Sequence, residues 1–436
     1  MADLTCLCAG IRSPNPFWLA SGPATDSADQ VLRAFDAGWG GAVWKTVTDP
    51  PTSNVCSRYN RHSIGQAKLA GLSNIELISD RPLEDNLKEI RYVKKVRSDR
   101  ALIVSIMMPY EKKAWQDLAR KAQDTGCDGL ELNLSCPHGL DDRWMGSMIG
   151  QIPDYVKAVV SDVKAVARIP VLVKLTPNVA DIRPMAQAAL DGGADGLSLI
   201  NTVNSLMGID TDTLRPRFAV DGKITHGGYS GHAIKPIALH MVSSVTSQPS
   251  LSKTPVSGIG GISSWQDAAE FFLLGCSSVQ VCTAVMLNGF GLISDLASGL
   301  SQWMDQKGFA TMADLVGKSA SHVTGWQNLN LHYKTVAHVD EAKCTGCGWC
   351  VVSCRDAARQ CIDIGVTGDG RGVARVKEED CIGCNLCAVV CPEAGCVEMI
   401  DRTTESPYRW NDRKTDHGKG YTRVYKSRPL SPKILQ

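Results

Sequence analysis

The placement of cysteines constrains this chain more than any other feature. Ten of its 17 cysteines fall between Cys344 and Cys396, within a chain of 436 residues. In a reducing compartment such a density indicates metal ligation rather than disulfide bonds. The sequence therefore predicts a metal-binding module that begins near residue 340.

The cysteines of this module form two runs with the same spacing. The runs are Cys344-x2-Cys347-x2-Cys350-x3-Cys354 and Cys381-x2-Cys384-x2-Cys387-x3-Cys391-Pro392. This spacing is typical of bacterial ferredoxins with two [4Fe-4S] clusters, in which the fourth cysteine of each run ligates the other cluster. The sequence thus predicts two ligand sets, Cys344, Cys347, Cys350 and Cys391 for one cluster and Cys381, Cys384, Cys387 and Cys354 for the other.

Three details of the module complete this interpretation. Arg355 stands where the first run would normally carry proline, but no ligand is lost. Zinc is disfavoured because two interleaved runs of four cysteines are poor zinc-finger spacing. Cys361 and Cys396 fit neither run, and we interpret them as packing residues. Since two clusters carry single electrons and do no bond chemistry on an organic substrate, a second redox centre is expected elsewhere in the chain.

The first two thirds of the chain alternate short apolar runs with helical segments, which predicts an α/β fold. The candidate strands are 17–21, 41–45, 101–107, 129–136, 170–176, 196–202, 255–260 and 278–283. Helical segments are predicted at 112–124, 154–166, 181–191, 291–306 and 311–321. Eight such strands favour a TIM (β/α)8 barrel. An open doubly wound sheet is the alternative, but its Gly-rich dinucleotide loop after the first strand is missing.

These features divide the chain into four parts. We expect a catalytic barrel over 1–320, a connector over 321–334, a ferredoxin-like domain with two [4Fe-4S] clusters over 335–400, and a basic extension over 401–436. The 46 basic and 45 acidic residues nearly balance, which argues against nucleic acid or a membrane surface as partner. Neither a long apolar run nor a signal-peptide pattern is visible, so a cytoplasmic location is expected.

Polar residues stand at the carboxyl ends of the candidate strands, where TIM barrels carry their chemistry. Lys45 and Lys174 end the second and fifth strands, and Gly260 and Gly261 end the seventh. Glycines here, followed by Thr283 after strand eight, suit the phosphate site that barrels build from their last two loops. FMN is the cofactor that this pattern indicates, because it carries one phosphate and accepts single electrons from a cluster.

Cys136 follows the fourth strand in the motif LSCPHG and precedes a Gly-rich loop, 139–150, that contains Trp144. A cysteine before proline is often a small buried hydrophobe. Neighbouring Asn and Ser side chains, and a following loop that could act as a lid, favour an acid/base role instead.

Together, these motifs carry a resemblance to a known protein family, and the resemblance covers about residues 10–405. The segments that carry it are NIELIS (74–79), LELNLSCPHG (130–139), KLTPNV (174–179), GGADG (192–196), NTVNSLMG (201–208), YSGHAIKPIAL (229–239), GGI (260–262), QVC (280–282), the cysteine module and DRTT (401–404). In these segments the chain resembles dihydropyrimidine dehydrogenases, specifically the FMN/iron–sulfur subunit of the two-subunit bacterial NAD-dependent form. The single-chain form carries additional N-terminal FAD and NADPH domains, which we do not expect in this protein.

The resemblance implies a reaction and the residues that serve it. Uracil or thymine would be reduced reversibly at its 5,6 double bond, with Cys136 as the general acid/base that exchanges a proton with C5. It implies pyrimidine contacts from Asn74, Asn133, Leu134, Ser135, Asn201 and Thr202. It implies FMN contacts from Ala20, Lys45, Thr46, Lys174, Gly231, Gly260, Gly261, Ile262, Cys282 and Thr283.

The resemblance also implies a partner. Electrons from NAD(P)H would enter through a partner subunit that binds FAD, in a heterotetramer built on a homodimer of this chain. Two other readings stay open: a class 1 dihydroorotate dehydrogenase, and a relay subunit whose barrel carries electrons without catalysis. Orotate would need a cation for its carboxylate, and Arg143 on the lid is the residue that could supply it.

Overall fold

The structure is a computed structural model, and it describes residues 1–64, 68–137 and 144–403. These residues form two compact units that divide between Val323 and Thr324. Among the described residues, no helix combines the length and the apolar character needed to cross a membrane.

The first unit is built on a closed barrel of eight parallel strands. The strands are Phe17–Leu19 (β1), Gly41–Val47 (β2), Ala101–Ile106 (β3), Gly129–Asn133 (β4), Val171–Lys174 (β5), Gly196–Leu199 (β6), Val256–Ile259 (β7) and Ser278–Val281 (β8). Neighbours in the ring follow chain order, and β8 closes it by pairing Val281 with Leu19 of β1. This confirms the predicted TIM barrel, and the open-sheet alternative is wrong.

One long helix follows each barrel strand. The helices are Ala28–Ala37, Leu83–Val96, Lys112–Gln123, Pro153–Lys164, Arg183–Asp191, Lys235–Thr246, Trp265–Leu273 and Leu292–Lys307. Every residue of the eight strands is buried, because barrel side chains on one side and helices on the other cover both faces of the sheet. This burial of both faces explains why the strands appear in the sequence as unbroken apolar runs.

A hairpin closes the amino end of the barrel. Strands Cys6–Cys8 and Ile11–Ser13 pair antiparallel, and Ile11 packs with Trp18, Val43 and Leu172 in one apolar cluster. The opposite, carboxyl end is therefore the end at which a cavity can open to a ligand.

A four-stranded antiparallel sheet rises from the loops after β2 and β6. Its strands are Tyr59–Ile64, Lys68–Asn74, Gly227–Ser230 and Val203–Ser205. A small hairpin, Ile209–Asp210 with Arg215–Pro216, lies in the same insertion after β6. The strands of this sheet are short and largely polar, so they give no apolar pattern in the sequence from which the sheet could be predicted.

The segment after the last long helix departs from the prediction. A helix over 311–321 is wrong: Met312–Leu315 makes one helical turn, and Ala320–His322 makes a 3-10 turn. Gly317 separates them with a φ of 79°, and its N–H bonds to Phe272 O at 2.9 Å instead of continuing a helix. The described part of the barrel unit also contains the short helices Ser147–Gly150 and Thr283–Asn288 and the 3-10 turns Pro23–Thr25 and His232–Ile234.

The second unit is a pseudo-symmetric module. Strand Thr335–Val339 (β9) pairs with Val397–Asp401 (β12), and Ile362–Val366 (β10) pairs with Gly372–Val376 (β11). Helices Trp349–Ala357 and Leu386–Val389 begin inside the two cysteine runs, one residue before Cys350 and Cys387, and a 3-10 turn at Trp326–Asn328 precedes them. This is the ferredoxin-like domain that the cysteine spacing predicts.

Candidate active site and cluster sites

A cavity of about 330 Å³ opens at the carboxyl end of the barrel. That volume is within the usual range of small-molecule sites. The predicted residues that line it are Ala20, Lys45, Thr46, Asn74, Asn133, Cys136, Lys174, Asn201, Thr202, Gly231, Gly260, Gly261, Ile262, Cys282 and Thr283. The structure thus gathers residues from across the barrel sequence around one space.

Two predicted site residues, Leu134 and Ser135, do not line the cavity. Leu134 is fully buried in the main core, where its carbonyl would meet any side chain added at Gly150. Ser135 is also fully buried, and its hydroxyl accepts a hydrogen bond from Asn201 Nδ2 at 2.9 Å. Ser135 therefore acts behind the cavity wall.

Three amides present their polar atoms to the cavity from fixed positions. Asn133 Nδ2 donates to Thr46 Oγ1 at 3.0 Å, and Asn201 Oδ1 accepts from the Thr202 N–H at 2.8 Å. Asn74, on the sheet above the barrel, donates to Gly228 O at 3.3 Å. Because each amide carries both donors and an acceptor, such a set can match a ring that alternates carbonyl and N–H groups.

Glycines form a cradle at one side of the cavity. Gly231, Gly260 and Gly261 have φ values of 90°, 131° and 76°, which other residues rarely adopt. A Cβ at Gly260 would lie 2.7 Å from Ala238 Cβ, and one at Gly261 would lie 2.7 Å from Lys235 Cβ. The glycines therefore let this turn pack closely on the start of the helix Lys235–Thr246. Because glycine has no side chain, backbone N–H groups of the turn can also approach a bound anion closely.

Asp267 connects the residues around this glycine cradle through hydrogen bonds. Its carboxylate accepts from Lys235 Nζ at 2.7 Å and from the backbone N–H of Ser263 at 2.9 Å, and with Ser264 it forms the capping box of the helix that starts at Trp265. Burial alone would raise the pKa of Asp267, but the hydrogen bonds from Lys235, Ser263 and Ser264 lower it below its ordinary value. The charged form is the one that holds the loop.

The two lysines of the cavity have different surroundings. Lys45 Nζ bonds to Glu76 Oε1 at 2.9 Å and to Asp26 Oδ2 at 3.2 Å. Lys174 Nζ lies 3.9 Å from Glu131 Oε1, which is beyond hydrogen-bond distance. Lys174 can therefore turn its donors toward a ligand at a smaller cost than Lys45.

Glu76 and Tyr59 line the same cavity and were not predicted as site residues. Glu76 also bonds to Arg58 Nη1 at 3.1 Å and accepts a hydrogen bond from the Tyr59 hydroxyl. Burial and the Glu76 carboxylate raise the pKa of Tyr59. A carboxylate flanked by a lysine and an arginine is a signal that only the fold reveals, since these residues are far apart in the chain.

Buried polar groups form the floor of the cavity. Gln280 Nε2 donates to Glu131 Oε2 at 3.1 Å and to Ser198 Oγ at 3.2 Å. Gln280 lines the cavity, and its Oε1 has no hydrogen-bond partner among the described residues. Since a buried acceptor without a partner is costly, a bound group with an N–H or O–H donor would fit this position.

Cys136 sits in a small apolar cluster at the cavity edge, together with Ile78, Met107 and Met145. The last part of the loop 139–150 returns to Cys136, because the Ser147 N–H donates to Cys136 O at 3.1 Å. Trp144 packs on Tyr155, with ring centroids 6.1 Å apart. Arg143 and the rest of 138–143 lie outside the described residues.

Cys282 lines the cavity beside Gly22, which lies in the loop after β1. Its Sγ would be 2.7 Å from a Cβ at Gly22. Burial raises the pKa of Cys282 to about 11, although Lys174 and Lys45 act in the opposite direction. The thiol is therefore protonated at neutral pH and serves as a wall of the cavity.

The module contains two further cavities, and each is lined by one of the predicted ligand sets. Cys344, Cys347, Cys350 and Cys391 line the first cavity, together with Cys396. Cys354, Cys381, Cys384 and Cys387 line the second, together with Cys361. Each cavity thus brings together three cysteines of one run and the fourth cysteine of the other.

Backbone groups support the ligand sulfurs in matching ways. The Ala374 N–H donates to Cys344 Sγ at 3.4 Å, and the Ala337 N–H donates to Cys381 Sγ at 3.5 Å. Gly346 and Gly383 let each ligand loop touch the neighbouring strand, since a Cβ at either would lie 2.4 Å from a carbonyl oxygen. Such N–H···S bonds suit thiolates that hold an iron–sulfur cluster.

Comparison with known families agrees with this division into two units. The dihydroorotate dehydrogenase family matches residues 3–304, and the 4Fe-4S dicluster domain family matches residues 337–399. The first match covers more than half of the chain.

Several curated proteins are similar over most of their length. The "NAD-dependent dihydropyrimidine dehydrogenase subunit PreA" of Escherichia coli is 39% identical over 83% of this chain and 87% of its own. The "dihydropyrimidine dehydrogenase (NADP(+)), chloroplastic" of Arabidopsis thaliana is 42% identical over 79% of this chain and 83% of its own. The "dihydroorotate dehydrogenase B (NAD(+)), catalytic subunit" of Pyrococcus abyssi is 39% identical over 71% of this chain and 96% of its own.

Proposed function

The chain belongs to the dihydroorotate and dihydropyrimidine dehydrogenase family of oxidoreductases, and we propose that it reduces the 5,6 double bond of uracil or thymine. The product is the 5,6-dihydropyrimidine, and the reaction is reversible. FMN in the barrel and two [4Fe-4S] clusters in the module serve the electron transfer.

One observation carries this proposal. A single cavity brings Cys136 together with three amides, Asn74, Asn133 and Asn201, and with two nearly buried lysines. Amides recognise the alternating carbonyl and N–H groups of a pyrimidine, and a thiol can give or take a proton. A relay subunit without catalysis has no need of this arrangement.

The cavity fits FMN on its own geometry. The glycine cradle suits a phosphate, Lys174 suits the anionic ring of a reduced flavin, and Gln280 Oε1 suits a ring N–H donor. When bound, FMN supplies two-electron exchange with the pyrimidine and one-electron exchange with a cluster. The chain's own residues hold the two rings and exclude water.

Cys136 completes the reduction by moving a proton. Its Sγ donates a proton to C5 of the pyrimidine during reduction and takes that proton back in the reverse reaction. The apolar contacts of Cys136 with Ile78, Met107 and Met145 fix the thiol at the cavity edge. A positioned acid/base of this kind contributes about 10²–10⁴ in rate.

The first experiment measures cofactors and substrates together. The purified holoprotein should contain about eight iron atoms and one FMN, and no FAD. With chemically reduced viologen as donor it should reduce uracil and thymine. Zinc at the cysteine sites, stoichiometric FAD, or a flavin spectrum unchanged by any pyrimidine would contradict the proposal.

Dihydroorotate is the second candidate substrate, and the family match and the Pyrococcus relative favour it. Orotate adds a carboxylate at C6, which costs several kcal/mol to bury without a cation. Lys45 is already paired with Glu76 and Asp26, and Lys174 is assigned to the flavin, so neither lysine is left for this carboxylate. We expect kcat/KM to favour uracil or thymine over orotate by at least about 10³. Comparable orotate turnover that Arg143→Ala abolishes would reassign the substrate.

Electron supply is tested with nicotinamide cofactors. We propose that a partner subunit containing FAD passes electrons from NAD(P)H to this chain, in a heterotetramer. The isolated chain should then reduce uracil with viologen but not with NADH or NADPH, and the partner should restore the nicotinamide reaction. Rapid NADH oxidation by the isolated chain would show a nucleotide site that we have not identified.

A further inference from the structure

Each cluster cavity is lined by five cysteines, although a cubane needs four. The additional residues are Cys361 in one cavity and Cys396 in the other, and both are buried. Each stands directly before a strand, β10 for Cys361 and β12 for Cys396. The earlier interpretation as packing residues does not explain why one occurs in each cavity.

The two additional cysteines occupy equivalent places. Cys361 Sγ lies 3.5 Å from Cys354 Sγ, and Cys361 lines one cavity together with Cys354 and Cys381. Cys396 lines the other cavity together with Cys391 and Cys344. In both cavities these neighbours are the fourth cysteine of one run and the first cysteine of the other, which are proposed ligands of a single cluster.

We infer that Cys361 and Cys396 each donate an S–H hydrogen bond to a ligand sulfur and thereby raise the reduction potential of its cluster. This inference rests on the proposed ligand sets. A ligand cysteine must be deprotonated, so the proton in the Cys354–Cys361 contact belongs to Cys361. Hydrogen bonds to cluster sulfurs are among the factors that set the potential, because they stabilise the added negative charge of the reduced state.

The reduction potentials of the two clusters should depend unequally on their additional cysteines. Cys396 Sγ also lies 3.8 Å from Asp340 O, which competes for its proton. Among the residues that the structure describes, the Cys361 thiol bonds to Cys354 Sγ and to no backbone carbonyl. The Cys361 cluster should therefore depend more strongly on its additional cysteine than the Cys396 cluster does.

The test is a redox titration of the holoprotein followed by electron paramagnetic resonance, with iron content measured in parallel. In Cys361→Ala we expect full iron and a roughly tenfold less favourable one-electron reduction of one cluster, equal to about 59 mV. Cys396→Ala should shift the other cluster in the same direction by a smaller factor. Cys361→Ser keeps a donor of similar size and should recover part of the shift.

Cys127→Ala is the matched control, since Cys127 is a buried barrel cysteine whose thiol donates to Ala122 O. It should leave both cluster potentials unchanged. Unshifted potentials in both module variants, equal shifts of both clusters in either variant, or a serine variant identical to alanine would overturn the inference.

Iron content separates this inference from the ligand assignment on which it rests. Loss of about half the iron in Cys361→Ala, with iron retained in Cys354→Ala, would overturn the ligand sets and make Cys361 a ligand. Full iron with an unshifted potential in Cys361→Ala would overturn the hydrogen-bond inference and leave the ligand sets standing.

Discussion

The cysteine module and the barrel mouth build their sites by opposite means. All eight proposed cluster ligands lie between Cys344 and Cys391, in two runs with identical spacing. The barrel cavity collects residues from Ala20 to Asn288, contributed by strand ends and by the sheet above them. The first site is specified by local sequence, whereas the second exists only once the barrel has closed.

This difference determines how much of each site a single substitution removes. Each cluster needs all four of its thiolates, so one substitution removes a whole cofactor. The barrel cavity spreads its contacts over many side chains, so one substitution there weakens a step and leaves the rest in place. The predictions below test this contrast, beginning with the largest effect.

Cys391→Ala should remove one cluster completely. We expect iron to fall from about eight to about four atoms per chain, because Cys391 completes the set of the other run. Iron analysis and the electron paramagnetic resonance spectrum of the reduced protein measure this, and Cys127→Ala serves as the control. If Cys391→Ala instead lost the cluster of its own run, the interleaving of the runs would be wrong.

Cys136→Ala should lower turnover by about 10²–10⁴ and leave FMN content and pyrimidine affinity nearly unchanged. The thiol contributes a proton, while other residues bind the rings. Single-turnover rates and pyrimidine titration of the flavin spectrum separate these effects. Cys276→Ala, at a fully buried cysteine that does not line the cavity, is the control and should retain full turnover. A rate near wild type in Cys136→Ala would assign the proton to another group, with His138 tested next.

The same contrast explains what could be predicted from the sequence. The ligand runs and the eight strands were predictable, because fixed spacing and buried apolar runs are local signals. Glu76 and Tyr59 were not, since their role depends on the sheet that places them beside Lys45. The family resemblance implies a pyrimidine contact for Ser135, and only the fold shows that Ser135 is fully buried outside the cavity lining, with its hydroxyl bonded to Asn201.

Ser135→Ala sharpens the contrast between residues that line the cavity and residues that support it. Asn201 Nδ2 and Asn133 Oδ1 would each lose a buried partner, at about 1–3 kcal/mol. We expect KM for uracil to rise by about tenfold with kcat reduced less, since the amides bind and do not move the proton. Steady-state kinetics measure this. An unchanged KM with a much lower kcat would place Ser135 in the chemical step.

Asp267→Asn tests the most remote support of the cavity and should have the smallest effect on catalysis. The substitution weakens the bonds from Lys235 and Ser263, so the barrel should lose about 2 kcal/mol of unfolding free energy at pH 7. FMN affinity should fall several-fold because Ser263 and Lys235 flank Gly261, while kcat at saturating FMN should stay the same. Denaturant unfolding and FMN titration measure the two quantities.

The pH dependence distinguishes this role from simple packing. Because the folded-state pKa of Asp267 is lowered, its stabilisation is present above the unfolded value near 4 and is lost as pH falls through the folded value. The stability gap between wild type and Asp267→Asn should therefore be widest at pH 5–7 and shrink below about pH 4. Asp314→Asn, at an exposed aspartate that also forms a capping box, should show a smaller gap and retain FMN affinity. A stability difference between wild type and Asp267→Asn that stays constant down to pH 2 would mean that the shape of the Asp267 side chain, and not its charge, holds the glycine cradle.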